Sequence, residues 1–243
     1  MGGLFAALYG IIAYLAFLAT ILYAIGFIGN LAVPKSIDSG EPGSLLPALV
    51  IDLVLLGLFA IQHSVMARPG FKKWWTRFVP RSVERSTYVL LSSLILGLLF
   101  WQWRPMPGTV WSVDNTAGSL VLTALFWAGW LIVFMSTWMI DHFELFGLRQ
   151  VYDRMRGQKS TPPEFKSPAL YRFMRHPIMT GFIIAFWATP VMTVGHLLFA
   201  AATTVYILVA LQLEERDLIH AHGDAYRDYR RRVSMLMPMK RIR

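Results

Sequence analysis

Long apolar runs separated by short polar segments dominate the hydrophobic pattern of the chain. A run of about 20 apolar residues is long enough to cross a bilayer as a helix. Six runs of about this length can be distinguished, at about 4–33, 45–66, 87–103, 119–140, 178–194 and 196–213. The pattern predicts an all-α fold, a polytopic integral membrane helical bundle of about six transmembrane helices. Because only Gly195 and its neighbours separate the last two runs, these are predicted to form a tight hairpin followed by a cytoplasmic tail.

The composition supports a membrane protein and excludes several kinds of site. Hydrophobic residues make up 56% of the 243 positions and charged residues only 15%, whereas a soluble domain carries roughly 25% charged residues. There are no cysteines, which excludes disulfides, thiolate zinc sites and a cysteine nucleophile. Since no repeat, low-complexity tract or soluble segment stands out, residues 1–243 are predicted to form a single membrane-embedded domain.

The basic residues predict the orientation in the membrane. Of the 23 lysines and arginines, six lie in 67–86, seven in 141–177 and eight after Leu213, which leaves only Lys35 and Arg104 elsewhere. Six spans place these three basic segments on one side, and the positive-inside rule makes that side the cytoplasm. Both termini are then cytoplasmic, in what we expect to be a bacterial inner membrane. No charge precedes Lys35, so the first run lacks the basic start of a cleavable signal peptide.

The charged and histidine-containing segments suggest few partners besides the membrane. Basic clusters next to apolar spans favour anionic headgroups, so membrane lipids are expected partners. No recognisable nucleic-acid-binding module accompanies the net charge of +9, and nucleic acid is not an expected partner. His220 and His222 do not share a helical face and have no third ligand nearby, so no metal site is predicted.

The segment 170–181 combines basic, aromatic and apolar residues around Arg175, His176 and Pro177. Proline suits the first turn of a helix and disfavours helix at the preceding residue, so a helix is predicted to begin at about Pro177. The guanidinium, the imidazole and the free N–H groups of the helix start would attract a carboxylate or another anion. Gly181, one turn further on, would let a flat ligand approach the backbone. The simpler alternative is a membrane helix preceded by an ordinary interfacial arginine and histidine.

Two further polar groups lie at the predicted cytoplasmic ends of the fourth and sixth runs. The first is the Asp-His-Phe-Glu segment 141–144, and the second is Glu214 with Glu215. A tight hairpin would bring these glutamates close to Arg175. There a carboxylate would either accept hydrogen bonds from ribose hydroxyls or pair with the guanidinium and lock the hairpin. The sequence leaves both roles open.

The C-terminal part of the chain resembles a known enzyme superfamily. The residues that carry the resemblance are Arg175, His176, Pro177, Gly181, Glu214, Glu215, His222, Gly223, Tyr226, Tyr229 and Pro238. Over about 170–238 they resemble the signature of the isoprenylcysteine carboxyl methyltransferase superfamily, integral membrane enzymes that use S-adenosylmethionine. Met179 departs from that signature, which usually has Tyr at this position. The segment 141–150, DHFELFGLRQ, resembles the NnrU-like branch of the superfamily, which includes enzymes that methylate a small thiol.

The resemblance implies S-adenosyl-L-methionine as the cofactor and 170–238 as the core that binds it. The cofactor-binding residues that it implies are Tyr171, Arg175, His176, Pro177, Gly181, Glu214, Glu215, His222 and Tyr226. On the substrate side it implies a catalytic group of His142, Glu144 and Arg149. The expected reaction is methylation of a small volatile thiol, either methanethiol to dimethyl sulfide or hydrogen sulfide to methanethiol.

A small thiol must lose its proton before it attacks the methyl sulfonium of the cofactor, because the thiolate is the nucleophile. We expect His142 to take that proton, with Glu144 orienting the imidazole and Arg149 or Arg175 favouring the anion. Three alternatives stay open. They are a membrane methyltransferase for a lipid or prenylcysteine acceptor, an NADPH-dependent sterol-type reductase, and a non-enzymatic membrane accessory protein.

Overall fold

The computed structural model describes residues 2–158 and 167–238. The helices are α1 (Gly3–Gly29), α2 (Leu45–Ala67), α3 (Pro69–Trp75), α4 (Arg81–Gln102), α5 (Thr116–Ile140), α6 (His142–Leu145), α7 (Leu148–Met155), α8 (Pro177–Trp187), α9 (Val194–His222) and α10 (Asp224–Arg232). The remaining elements are the strands β1 (Thr109–Ser112) and β2 (Val191–Thr193) and a 3-10 turn (Ala169–Arg172). The basic residues that lie outside the described part are Lys159, Lys166, Lys240, Arg241 and Arg243.

Five of the described helices are long and apolar enough to cross a membrane: α1, α2, α4, α5 and α9. Strand structure is confined, in the described residues, to the short antiparallel pair of β1 and β2. The chain is therefore an all-α polytopic membrane protein, which confirms the fold class that the hydrophobic pattern predicted.

The fifth predicted run forms a shorter helix than expected. α8 begins at Pro177, as predicted, but ends at Trp187 rather than near 194. Its 11 residues extend for only about 16 Å at roughly 1.5 Å per residue, about half of the hydrocarbon thickness of a bilayer. The helix stops because Pro190 has no N–H to continue it and because Val191–Thr193 pair with β1 instead. The apolar run is thus divided between a short helix and a strand.

Contacts between residues divide the chain into two compact units. They are Met1–Pro105 with Asp141–Pro163, and Met106–Ile140 with Glu164–Arg243. In the first unit, α1 packs against α4 and α7, and α2 packs against α4. Gly10 permits the contact between α1 and α7, since a Cβ there would lie 2.6 Å from Cγ2 of Val151. Ala6, Val83 and Val151 form a buried cluster at this place. That residues 1–243 act as one domain stays a prediction.

A buried carboxylate lies in the first unit, in the first half of α2. Asp52 is fully buried, and its Oδ1 accepts a hydrogen bond from the backbone N–H of Arg104 at 2.9 Å. Lys35 Nζ donates to the Trp101 carbonyl at 2.5 Å, and its charge also acts on the Asp52 carboxylate. A carboxylate inside a membrane span is expensive without a nearby cation. Lys35 and Arg104, the two basic residues outside the three basic segments, both act electrostatically on this carboxylate.

In the second unit, α5 and α8 are in backbone contact at a pair of glycines. A Cβ on Gly181 would lie 2.6 Å from the Gly129 oxygen, and a Cβ on Gly129 would lie 2.7 Å from the Gly181 oxygen. Small residues permit such a close approach of two helices. α8 and α9 form the predicted hairpin, and the Trp187 indole at the end of α8 donates to Thr204 Oγ1 on α9 at 2.9 Å.

The C-terminal tail folds back on the hairpin. The chain reverses direction after α9 at Gly223, whose φ of 57° lies in the left-handed region that favours glycine. In and just after α10, Tyr226, Tyr229 and Val233 form a buried cluster against the last turns of α9. A parallel bridge between Met174 and Ser234 then places the tail beside the segment that precedes α8.

Candidate functional site

A buried ion pair ties the start of α8 to the end of α9. Arg175 Nε donates to Glu215 Oε1 at 2.6 Å, and each side chain is only 2% exposed. Arg175 Nη1 also donates to the carbonyl oxygens of Arg230 at 3.0 Å and Val233 at 2.6 Å. A buried charge requires such partners because its desolvation is expensive. The hairpin and the tail are therefore held together at one guanidinium.

The tail covers this point through backbone hydrogen bonds. The N–H groups of Arg175 and His176 donate to the carbonyl oxygens of Ser234 at 2.9 Å and Met235 at 3.1 Å. The Thr180 hydroxyl donates to the Leu236 carbonyl at 2.8 Å. Buried backbone donors are nearly always satisfied in this way. The tail thus uses donors that the sequence had suggested for an external anion.

The two adjacent glutamates at the end of α9 have different surroundings. Glu215 Oε1 lies 3.3 Å from His176 Nε2, and its Oε2 lies 3.3 Å from Arg230 Nε. The Glu214 side chain is 46% exposed, and its Oε2 lies 3.9 Å from His176 Nδ1. Glu215 therefore makes the hairpin-locking contacts, while Glu214 presents an accessible carboxylate beside the imidazole. A cofactor contact of either glutamate stays a prediction.

Three buried tyrosines, Tyr171, Tyr226 and Tyr229, lie in the segment before α8 and in α10. Tyr229 OH donates to the Tyr171 carbonyl at 2.5 Å, and Tyr171 OH donates to the Ser136 carbonyl at 3.4 Å. Burial raises the pKa of Tyr171 and Tyr226 above the ordinary value of 10.0 and raises the pKa of Tyr229 to about 12. Their hydroxyls are therefore neutral hydrogen-bond donors at physiological pH.

Pro177, Gly181 and His222 have structural explanations of their own. Pro177 begins α8, and His222 ends α9 next to the turn at Gly223. The missing side chain of Gly181, predicted to admit a ligand, makes room for α5. Around the hairpin and tail the structure brings together Tyr171, Arg175, His176, Pro177, Glu214, Glu215 and Tyr226.

A second candidate group lies in the first unit, at the short helix α6. His142 Nε2 lies 2.8 Å from Tyr14 OH, and the imidazole is edge-on to Phe146 with ring centroids 4.9 Å apart. Phe146 in turn stacks on Phe17 with centroids 3.9 Å apart. Burial lowers the pKa of His142 below its ordinary value of 6.5, against the opposing influence of the Asp141 carboxylate. The imidazole is therefore neutral at pH 7 and able to accept a proton.

Asp141 connects the three predicted catalytic residues. Its φ of 153° lies in a region where residues with side chains are rarely found. Its Oδ1 accepts a hydrogen bond from the Glu144 N–H at 3.0 Å, which caps α6, and its Oδ2 accepts one from Arg149 Nη1 at 2.7 Å. The Glu144 carboxylate lies 3.7 Å from the same Arg149 nitrogen. His142, Glu144 and Arg149 thus belong to one small motif.

Tyr14 is the residue of this group that the sequence did not indicate. It lies inside the first apolar run, where a tyrosine is usually explained by packing, and 128 positions separate it from His142. The sequence assigned the orientation of the imidazole to Glu144, which stays a prediction. The structure places the Tyr14 hydroxyl at Nε2, so the imidazole has an orienting partner outside its own segment.

The fold and these two groups define the class of the protein. It is a polytopic helical membrane protein in which a buried ion pair locks a C-terminal hairpin to its tail, and it carries a neutral imidazole in aromatic surroundings. Over the described residues, no group of three or more His, Asp or Glu side chains has an arrangement that would hold a metal ion.

Comparison with known proteins identifies the family. The family model described as NnrU protein matches residues 52–237. This match covers more than half of the chain, and the chain belongs to the NnrU protein family. Methanethiol S-methyltransferase 1 of Bradyrhizobium diazoefficiens is 60% identical over 236 residues, which are 97% of this chain and 83% of that protein.

Two further relatives extend the comparison. Methanethiol S-methyltransferase of Mycobacterium tuberculosis is 62% identical over 231 residues, 95% of each chain. Nurim of Mus musculus is 32% identical over 193 residues, which are 76% of this chain and 73% of that protein. No solved structure matches the chain significantly.

Proposed function

We propose that this protein is an S-adenosyl-L-methionine-dependent methyltransferase that converts methanethiol to dimethyl sulfide. The observation that carries the proposal is the identity of 60% and 62%, over at least 95% of this chain, to relatives named methanethiol S-methyltransferase. Hydrogen sulfide, which has a hydrogen in place of the methyl group of methanethiol, is the second acceptor that the proposal includes.

The accessible side chains of the second unit fit the proposed cofactor. When bound, S-adenosyl-L-methionine supplies an electrophilic methyl group, whose bond to the sulfonium sulfur breaks as the thiolate sulfur bonds to the carbon. The half-exposed Glu214 carboxylate would accept hydrogen bonds from the ribose hydroxyls. His176 lies beside it, close to the buried Glu215. We assign cofactor binding to 170–238, in which Arg175 and Glu215 preserve the arrangement of the hairpin and tail.

His142 is proposed to accept the thiol proton. In the tautomer with hydrogen on Nε2, that N–H donates to the Tyr14 oxygen, and Nδ1 holds the lone pair that takes the proton. The hydrogen bond from Nε2–H to the Tyr14 oxygen persists when the ring becomes cationic, so Tyr14 holds the imidazole in place throughout the proton transfer. The rings of Phe17 and Phe146 limit the access of water to this group and offer favourable contacts to sulfur.

Arg149 is proposed to support this base. It bonds to Asp141 and lies close to Glu144, so it fixes the turn that presents His142 and adds a positive charge that favours the thiolate. Arg175, the other cation suggested by the sequence, is bonded in the buried pair with Glu215.

We also propose that the protein lies in a bacterial inner membrane with both termini in the cytoplasm. The support is the three basic segments, read with the positive-inside rule, together with the α8–α9 hairpin, whose two ends meet at the Arg175–Glu215 pair and so lie on the same side. An apolar, volatile thiol dissolves in the bilayer, so a membrane enzyme meets such a substrate where it accumulates.

Calorimetric titration of the detergent-purified protein with S-adenosyl-L-methionine and, separately, with NADPH tests the class of enzyme. We expect the first to bind and the second not to bind. Binding of NADPH alone would favour a sterol-type reductase, and binding of neither would favour an accessory protein. With a labelled methyl group on the cofactor, label in a lipid or prenylcysteine instead of a volatile product would contradict the proposed acceptor.

A further inference from the structure

Two neighbouring cavities lie in the first unit where α3 meets the start of α4. One has a volume of about 330 Å³ and is lined by Pro80, Arg81, Ser82 and Arg154. The other has a volume of about 320 Å³ and is lined by Lys72, Lys73, Thr76, Arg81 and Glu84. Because Arg81 lines both, we describe them as one feature, the basic cleft. Cavities of this volume are at the lower end of the range for ligand sites.

The basic cleft has an excess of positive charge. Four cationic side chains line it, and the only carboxylate among its lining residues is that of Glu84. Within residues 2–158 and 167–238, the side chains of Lys73, Arg81 and Arg154 form no ion pair. Like charges that line one cleft repel one another, so an anion in the cleft would stabilise the folded protein.

The basic cleft lies at a membrane boundary. α2 ends at Ala67 and α4 begins at Arg81, and both are apolar enough to cross a membrane, so the segment between them lies at the edge of the bilayer. Within it, Trp74 and Phe78 are 48% and 69% exposed, with ring centroids 5.5 Å apart. Exposed aromatic rings next to lysines are typical of the headgroup layer. The anions concentrated in that layer are lipid headgroups.

The end of α2 next to this segment offers a surface for acyl chains. Ile61 and Val65, on its last turns, are 66% and 44% exposed. A phospholipid with its phosphate in the basic cleft would bury part of this apolar surface with its chains, which a free phosphate ion does not do. The surroundings of the cleft therefore favour a lipid over a soluble anion.

We propose that the basic cleft binds the headgroup of an anionic phospholipid. Arg81, which lines both cavities, contacts the phosphate, Lys73 and Arg154 add positive charge from either side of it, and the Glu84 carboxylate accepts a hydrogen bond from a headgroup hydroxyl. Glu84 disfavours a second phosphate, and the excess of cations disfavours a headgroup that carries an ammonium. A lipid with one phosphate and a hydroxylated headgroup, such as phosphatidylglycerol, has the chemistry that this cleft recognises.

Thermal unfolding of the full-length protein in detergent tests the proposal. The protein is titrated with dihexanoyl phosphatidylglycerol, dihexanoyl phosphatidylcholine or inorganic phosphate. We expect the Tm to rise with phosphatidylglycerol alone, because a ligand that binds the folded state stabilises it. The absence of a rise, or an equal rise with phosphatidylcholine, would overturn the site. An equal rise with inorganic phosphate would overturn its assignment to a lipid.

A pair of double variants shows whether the cleft itself is responsible. Lys73→Gln with Arg81→Gln removes two exposed cations of the cleft, so the variant is expected to keep the wild-type Tm without lipid. Its apparent Kd for phosphatidylglycerol is expected to rise roughly tenfold or more. Arg227→Gln with Arg231→Gln removes the same charge from exposed positions of α10 and is expected to respond as the wild type does. An equal loss of affinity for phosphatidylglycerol in both double variants would indicate general charge attraction and overturn a specific site.

Discussion

Glu214 and Glu215 are neighbours in the chain, yet one is half-exposed and the other is buried against Arg175. The sequence predicted that a glutamate would reach this arginine, because a hairpin brings the start of α8 to the end of α9. Which glutamate does so depends on the rotation of α9 about its axis. A helix turns by about 100° per residue, so the two roles cannot be assigned until tertiary packing fixes that rotation.

The two glutamates are expected to differ when each is neutralised. Glu215→Gln leaves the Arg175 charge buried without its partner, so the free energy of unfolding should fall by about 3–5 kcal/mol. Glu214→Gln should lower the free energy of unfolding by less than about 1 kcal/mol but weaken S-adenosyl-L-methionine binding. Denaturant unfolding in detergent and calorimetric titration measure the two effects. Equal destabilisation by both variants would contradict the hairpin-locking role of Glu215.

Turnover is expected to depend on pH through His142. Burial holds the pKa of this imidazole below 6.5, so it is neutral above that pH and becomes protonated, and inactive as a base, only as the pH falls further. The acid limb of kcat should therefore lie below pH 6.5. Tyr14→Phe removes an acceptor for the imidazolium N–H. This lowers the pKa of His142 further and moves the acid limb of kcat to lower pH. A limb that stays in place in this variant would count against the Tyr14 contact.

At the scale of elements, local signals predicted where helices begin better than where they end. Pro177 sets the start of α8 through its own geometry. The end of α8 depends on β1, which pairs with Val191–Thr193 from about 80 positions earlier in the chain. The run 178–194 is nearly uninterrupted in hydropathy, so the sequence indicated one helix where the fold makes a helix and a strand. Non-local pairing of this kind has no local signature.

The glycine contact between α5 and α8 is expected to be sensitive to a single methyl group. Gly181→Ala would place Cβ 2.6 Å from the Gly129 oxygen, so the helices must separate, at a cost of about 1–3 kcal/mol. Gly97→Ala is the matched control, since a Cβ at this position of α4 meets nothing within 4 Å. Denaturant unfolding in detergent compares the two variants. A wild-type stability of Gly181→Ala would contradict the close packing of these helices.

At the scale of the whole molecule, hydropathy was sufficient for the fold class. A bilayer requires spans of about 20 apolar residues and satisfies no backbone hydrogen bonds, so long apolar runs have to become helices. The residue groups needed more than hydropathy. Arg175 and His142 carried a signal through their resemblance to a superfamily signature, whereas Tyr14 carried none, because its contact with His142 exists only after the helices pack.

The orientation of the chain is testable because it has no cysteine of its own. Single cysteines are introduced at Gly43, between α1 and α2, and at Arg77, between α3 and α4. In intact spheroplasts a membrane-impermeant maleimide is expected to label Gly43→Cys and to spare Arg77→Cys, which becomes labelled only after lysis. The reverse pattern would contradict a cytoplasmic N-terminus.

Headspace gas chromatography of the purified protein in detergent tests the proposed function most directly. Given S-adenosyl-L-methionine and methanethiol, the protein is expected to release dimethyl sulfide only when both are present. His142→Ala should lower kcat by about 100-fold or more while leaving cofactor affinity unchanged, whereas replacement of the exposed His220 by Ala should have no effect. A folded, cofactor-binding protein that releases no dimethyl sulfide would contradict methanethiol as the acceptor.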